Sequence, residues 1–194
     1  MRLPTPHSKR LTSAAAVAGA GLLAAAVTLA VTALPAAAAA TPACTASGLV
    51  VWWDTSGSGT AGATYYGLQI TNLSGHTCTL AGYPGVSGVD LGGHQLGSAA
   101  IHNTAGKETT ITLSSGTTAS TQNTTTVALV KITDVANYPA ATCKPVTAAG
   151  LRVYVPGQKS STVLPYPFRA CSKSGPTYLS VEPLERGIAP STSA

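Results

Sequence analysis

Charged side chains are scarce in this 194-residue sequence, at 9%, with eleven Lys and Arg against six Asp and Glu. After Arg2, Lys9 and Arg10 the cations Lys107, Lys131, Lys144, Arg152, Lys159, Arg169, Lys173 and Arg186 stand singly. No run is present that could track a phosphate backbone, so nucleic acid is not an expected partner. The acids are as thinly spread: Asp54, Asp90, Glu108 and Asp134 lie far apart, and Glu182 and Glu185 flank Pro183 near the C-terminus. A carboxylate pair of the kind glycoside hydrolysis needs would have to be brought together by the fold. No Gly-x-Ser-x-Gly elbow occurs, since Gly85-Val86-Ser87-Gly88-Val89 lacks its last glycine. There is no Cys-x-x-Cys, and His76-Thr77-Cys78 alone lacks the paired spacing of a structural zinc site. His76, His94 and His102 each sit in a Gly-, Ser- or Asn-rich turn and read as solvated loop histidines. The glycine-rich stretch 56–62 has neither a following helix nor the lysine of a phosphate loop. The expectation is a protein that is not an enzyme and needs no cofactor or metal.

What is present begins with a leader. Three cations precede an uncharged Ala/Val/Leu run from Leu11 to Leu34, then Pro35 and a string of alanines, the layout of a signal peptide. Ala38 and Ala40 fit an Ala-x-Ala site with cleavage before Thr41. A retained membrane anchor is the alternative: the run exceeds the roughly 20 residues a span needs, although alanine and glycine contribute little to insertion. Cys44 is preceded by Thr41-Pro42-Ala43 and lacks the leucine of a lipoprotein box. The expected organisation is a signal peptide over 1–40, one β-sandwich domain over 41–186 and a flexible tail over 187–194. Eight basic residues against six acids then leave the mature chain at only +2. The expected location is secreted or extracellular, with possible association with the cell envelope, and membrane contact arises only if the signal stays uncleaved.

The four cysteines, Cys44, Cys78, Cys143 and Cys171, all fall in the mature part. An even number in an exported chain reads as disulfides. Of the three pairings, an early pair Cys44–Cys78 and a late pair Cys143–Cys171 follow the order along the chain. In the chain-entropy picture each contributes about 3 to 4 kcal/mol.

Beyond the leader there is no helical periodicity, only short apolar or alternating runs separated by Gly/Ser/Pro/Asn turns. Leu49 to Asp54 is a β-forming run ended by a Gly/Ser turn. Ala63 to Leu73 alternates, with Tyr66, Leu68 and Ile70 on one face and Tyr65, Gly67, Gln69 and Thr71 on the other, and it should pair with the preceding run. Cys78 to Leu80 leads into the corner Gly82-Tyr83-Pro84-Gly85, where the proline fixes its own φ and holds Tyr83 extended. Further strands are expected at Val86 with Val89 to Leu91, Thr109 to Leu113, Thr117 to Gln122, Thr125 to Ile132, Leu151 to Val155, Ser161 to Leu164 and Tyr178 to Leu184. Polar connecting chain anchored by Ile101 is expected over 97–108, and a helical turn near Ala148 to Gly150. Pro165-Tyr166-Pro167-Phe168 is expected to stop the strand before it. This gives an all-β fold, a single immunoglobulin-like β-sandwich of about eight to ten short strands.

Cys78-Thr79-Leu80-x-Gly82-Tyr83-Pro84, preceded by Ile70-Thr71-Asn72 and followed by Leu113-x-x-Gly116-x-x-Ala119 and Leu151-Arg152-Val153-Tyr154-Val155-Pro156-Gly157, resembles the secreted actinobacterial proteins grouped as domain of unknown function 4232. The resemblance spans Cys44 to Leu184. It implies an exported or envelope-attached, disulfide-bonded β-sandwich, and it carries over no catalytic residue.

Trp52 and Trp53 are the strongest candidates for contact with a ligand. Adjacent strand residues point to opposite faces, so one tryptophan fills the core and the other lies outside unless neighbouring chain covers it. An exposed tryptophan near Tyr65 would offer a platform to a sugar ring or a protein partner. The expectation is a non-catalytic binding module for an envelope glycan or protein. A polymer-degrading hydrolase and a purely structural surface protein are the alternatives.

Overall fold

The structure, a computed structural model, describes residues 39–116 and 122–188. The expected signal peptide up to residue 38, most of the expected strand Thr117 to Gln122, and the tail after Ile188 lie outside the described residues. Among the described residues there are twelve strands. In chain order they are β1 (Leu49–Thr60), β2 (Ala63–Asn72), β3 (Cys78–Leu80), β4 (Gly85–Val89), β5 (Gln95–Leu96), β6 (Ile101–His102), β7 (Ile111–Leu113), β8 (Thr125–Thr133), β9 (Pro145–Tyr154), β10 (Ser161–Cys171), β11 (Leu179–Val181) and β12 (Glu185–Arg186). One short helix, α1 (Ala140–Cys143), precedes β9 and ends on Lys144, whose φ of 45° is the left-handed cap of the turn.

Three sheets result. Six strands form the first, in the order β1-β2-β8-β11-β6 with β12 also on β8. Four form the second, in the order β10-β9-β4-β5, and β3 pairs with β7. The fold is an all-β sandwich. Its core lies between the inward residues of the first sheet, among them Leu68, Ile70, Ala128, Val130, Leu179 and Val181, and those of the second, among them Val86, Ala148, Leu151, Val153 and Ala170. Burying one such aliphatic side chain contributes about 1.5 to 3 kcal/mol, which is why the alternating runs dictate the layers.

Cys44 bonds Cys78, tying the segment ahead of β1 to β3, and Cys143 bonds Cys171, tying the end of α1 to the end of β10. Pro42 O accepts from Thr79 N at 2.8 Å and Thr79 O from Cys44 N at 2.9 Å, so the first disulfide lies inside a bridged chain segment. In the corner that follows, Tyr83 stacks on His102 with ring centroids 4.2 Å apart, and its hydroxyl donates to Asn103 O.

Several expectations change. The Gly/Ser stretch after Asp54 continues as strand to Thr60, with a register shift between Asp54 and Ser58, and the reversal falls on Ala61-Gly62. Gly62 there takes φ +77°, a conformation side chains with a Cβ resist. Leu91 is not in a strand and is almost wholly exposed. Residues 148–150 are extended within β9 and the helix falls earlier. Ile101 is half exposed and belongs to β6, which joins β11 in parallel. The stretch Tyr178 to Leu184 is strand only over β11. Pro165 and Pro167 do not stop the chain: β10 runs through both, with its register shifted between Pro165 and Phe168. The reason is position, because β10 is the outermost strand of its sheet and an edge strand can lose N–H groups that face solvent.

Candidate functional site

The register separates the two tryptophans. Trp52 stands opposite Gln69, and Trp53 stands opposite Leu68, which is fully buried. Trp53 therefore faces the second sheet while Trp52 lies on the outer face, and both are half-buried. The Trp52 indole N–H donates to Thr71 Oγ1 at 3.1 Å, and that hydroxyl lies 3.0 Å from Thr125 Oγ1, so the outer ring is tied down against β2. Tyr65 shares this outer face, separated from Gln69 by Gly67, and Lys131 Nζ sits 5.8 Å from its ring centroid. Trp52 and Tyr65 share one face of the sheet; Trp53 does not join them.

Trp53 instead belongs to an aromatic cluster that crosses the sandwich. Its ring centroid lies 5.3 Å from that of Tyr66 and 5.7 Å from that of Tyr166, and those two tyrosines meet edge to face at 5.3 Å. Phe168 continues the row at 6.3 Å and Tyr178 ends it 6.4 Å further on. These spacings are those of attractive ring pairs. The strands that carry Trp53 and Tyr166, β1 and β10, are the outermost members of their sheets, so the rings fill a seam where, among the described residues, no strand joins the layers. Trp53, Tyr66, Tyr166 and Phe168 are all only partly buried there.

Both ends of the seam are hollow. One end is a cleft of about 340 Å³ lined by residues that include Thr60, Gly62, Thr64, Tyr66, Asp134 and Phe168. The other is a depression of about 330 Å³ among Leu49, Val51, Val153, Val155, Ser161 and Thr162. Between them the irregular part of β1 drapes over Tyr66 so closely that a Cβ on Gly57 would lie 2.6 Å from Tyr66 Cε1. Burial in this packing, together with the neighbouring Tyr66 phenol, pushes the Tyr166 hydroxyl up to about 12. The ring is neutral at any physiological pH.

Four of the six carboxylates, those of Asp54, Asp90, Asp134 and Glu182, hold hydrogen-bond partners. Asp54 accepts from Ser56 N, Asp134 from Ala136 N, and Glu182 from Asn103 Nδ2. Asp90 is held below the usual carboxylate range by the His94 backbone N–H, with the imidazole 3.2 Å away. Among the described residues no three His, Cys, Asp or Glu side chains gather as a metal site would require.

Sequence reasoning missed Tyr66, Tyr166 and Phe168 as one group. The signal was the alternation Leu164, Tyr166, Phe168, Ala170, which continues one face straight through the prolines.

The family model described as domain of unknown function (DUF4232) matches residues 44–185. The chain belongs to that family. The match holds both disulfides and both walls of the seam, so the aromatic cluster is part of the DUF4232 domain itself. No curated protein and no solved structure matches the chain. Two disulfides in this DUF4232 domain suggest an oxidising, extracellular environment. No helix among the described residues is long and apolar enough to cross a membrane.

Proposed function

We propose that this domain is a non-catalytic binding module that acts outside the cell or in its envelope, and that it binds a glycan or a protein along the seam between β1 and β10. The observation that carries the reading is the partly exposed row Trp53, Tyr66 and Tyr166, held between two edge strands. Rigid rings present a large contact area at little entropic cost, and Trp and Tyr dominate the energetics of interfaces. The outer face serves recognition less well, because the Trp52 indole N–H is already used by Thr71. The hydrogen bonds already held by Asp54, Asp90, Asp134 and Glu182 support a role without catalysis.

The test uses Trp52→Phe, which leaves Trp53 as the sole indole reporter. Soluble envelope glycans, wall polymers and secreted proteins are titrated while fluorescence is read, and Tyr166→Ala is run in parallel. A saturable change lost in Tyr166→Ala is expected. No response to any of these, or release of product from a polymer, would remove the reading.

A further inference from the structure

We propose that the free edge of β1 takes up an extended polypeptide segment as an added antiparallel strand. This rests on the reading of the seam as the binding surface and names what occupies it. The argument begins with backbone parity. Leu73 N donates to Gly48 O at 2.8 Å, and Asn72 N donates to Thr124 O at 2.9 Å. In β2, then, odd residues bond β1 and even residues bond β8. Carried along the register Val50↔Thr71, Trp52↔Gln69 and Asp54↔Gly67, this turns the N–H and C=O of Val50, Trp52 and Asp54 toward β2. Those of Leu49, Val51 and Trp53 point the other way, to the open edge. Leu49 N is used by Ala46 O. Among the described residues, the groups of Val51 and Trp53 form a short ladder with no strand of the sheet beyond it.

The same three residues aim their side chains into the sandwich, since Val51 and Trp53 stand opposite the buried Ile70 and Leu68. A strand added about 4.8 Å outside β1 overhangs β10. Residues opposite Val51 and Trp53 would exchange backbone hydrogen bonds with them and drop their side chains onto Leu164, Tyr166 and the depression beside Leu49. The segment that fits alternates apolar residues inward with polar residues outward, about 6.8 Å apart on each face. Trp53 adds an unmet need on this side, its Nε1 being buried without a partner among the described residues.

The two edges of the seam are not equivalent. β10 carries Pro165 and Pro167, the usual protection of an edge against strand addition. Over Leu49–Asp54, β1 has no proline and a single charge, Asp54. The register shift after Asp54 and the turn Ala46–Gly48 limit the ladder to those six residues, a length suited to a short linear segment. A second copy pairing through the same edge would have only this ladder to share, far from the roughly 800 Å² per partner of a stable interface. A glycan does not present N–H and C=O groups at the strand repeat.

The experiment uses the disulfide-bonded mature chain and the blocked peptide Lys-Val-Thr-Val-Thr-Val-Lys, with affinity read from tryptophan fluorescence. N-methylation of the three valines removes the N–H groups that face β1, whereas methylation of the two threonines removes groups that face away. The valine set is expected to weaken binding at least tenfold and the threonine set less than twofold. Val51→Pro, at an edge position where a proline is tolerated, is expected to abolish binding with the fold intact by circular dichroism. Equal effects of the two methylations, or no binding of any peptide, would overturn the proposal. Sedimentation showing a dimer that Val51→Pro dissolves would also overturn it, in favour of a second copy. A glycan that binds in a Tyr166-dependent way where peptides do not would overturn strand addition alone and leave the seam as the site; no ligand of either class would remove both.

Discussion

Asn72 closes the end of β2 where it turns toward β3, and replacing it should unfasten that end of the sandwich. The side chain is fully buried. Its Nδ2 lies 2.7 Å from His76 O and 3.2 Å from both Leu113 O and Ser114 O, while Oδ1 accepts from Ser74 N at 3.0 Å and Ser74 Oγ at 2.7 Å. Two N–H groups shared among three carbonyls, plus two accepted bonds, amount to about four hydrogen bonds of about 1 kcal/mol each net. Asn72→Ala should therefore lose about 3 to 5 kcal/mol, a large part of a total of about 5 to 15. Asn72→Asp separates this reasoning from a simple loss of packing. It keeps the acceptor for Ser74 but turns a buried carboxylate oxygen toward three carbonyls, so it should be worse than alanine at neutral pH. Urea unfolding followed by circular dichroism measures both. An aspartate variant as stable as wild type, or an alanine variant within about 1 kcal/mol of it, would refute the assignment of Asn72 as a donor hub.

Other consequences follow from the packing. In Gly88→Ala the new Cβ would lie 2.7 Å from Tyr178 Oη and 3.3 Å from Phe168 Cζ; thermal denaturation should show a loss of about 1 to 3 kcal/mol, reduced in a Tyr178→Phe background where the clashing oxygen is gone. Replacing Cys143 and Cys171 together by serine opens a loop spanning 28 residues and should cost about 3.5 kcal/mol in urea unfolding. Burial pushes Tyr178 up to about 12, as it does first for Tyr166. Both phenols stay protonated in the folded chain while an unfolded tyrosine ionises near pH 10. Their contribution is complete below pH 10 and is lost as pH rises from 10 toward 12; Tyr178→Phe should flatten that decline in pH-dependent melting.

The class of fold was legible because it rests on period-two alternation and turn chemistry, which act locally. The faces of β2 could be assigned from Tyr66, Leu68 and Ile70 alone, and the opposite orientations of Trp52 and Trp53 follow from the pleat. What could not be read was set by position in a sheet. Whether Pro165 and Pro167 end a strand depends on β10 being an edge, and the sequence around them does not say which strands are outermost. Likewise Ile101 reads as a lone anchor because its partner, β11, lies about 80 residues later. The pleat left open which tryptophan faces outward; the register puts Trp52, not Trp53, on the face that carries Tyr65. The cluster of Trp53, Tyr66, Tyr166 and Phe168 depends on two distant hairpins meeting at the seam, a tertiary event that no local pattern encodes.

Residue-resolved amide exchange along β1 tests the open seam most directly. In the free domain the amides of Val50, Trp52 and Asp54 should be protected by β2 while those of Val51 and Trp53 exchange rapidly. On addition of the alternating peptide, Val51 and Trp53 should become protected and their neighbours change little. Uniform protection along β1 before any ligand is added, or protection of Val51 and Trp53 that no ligand alters, would contradict a binding edge at this strand.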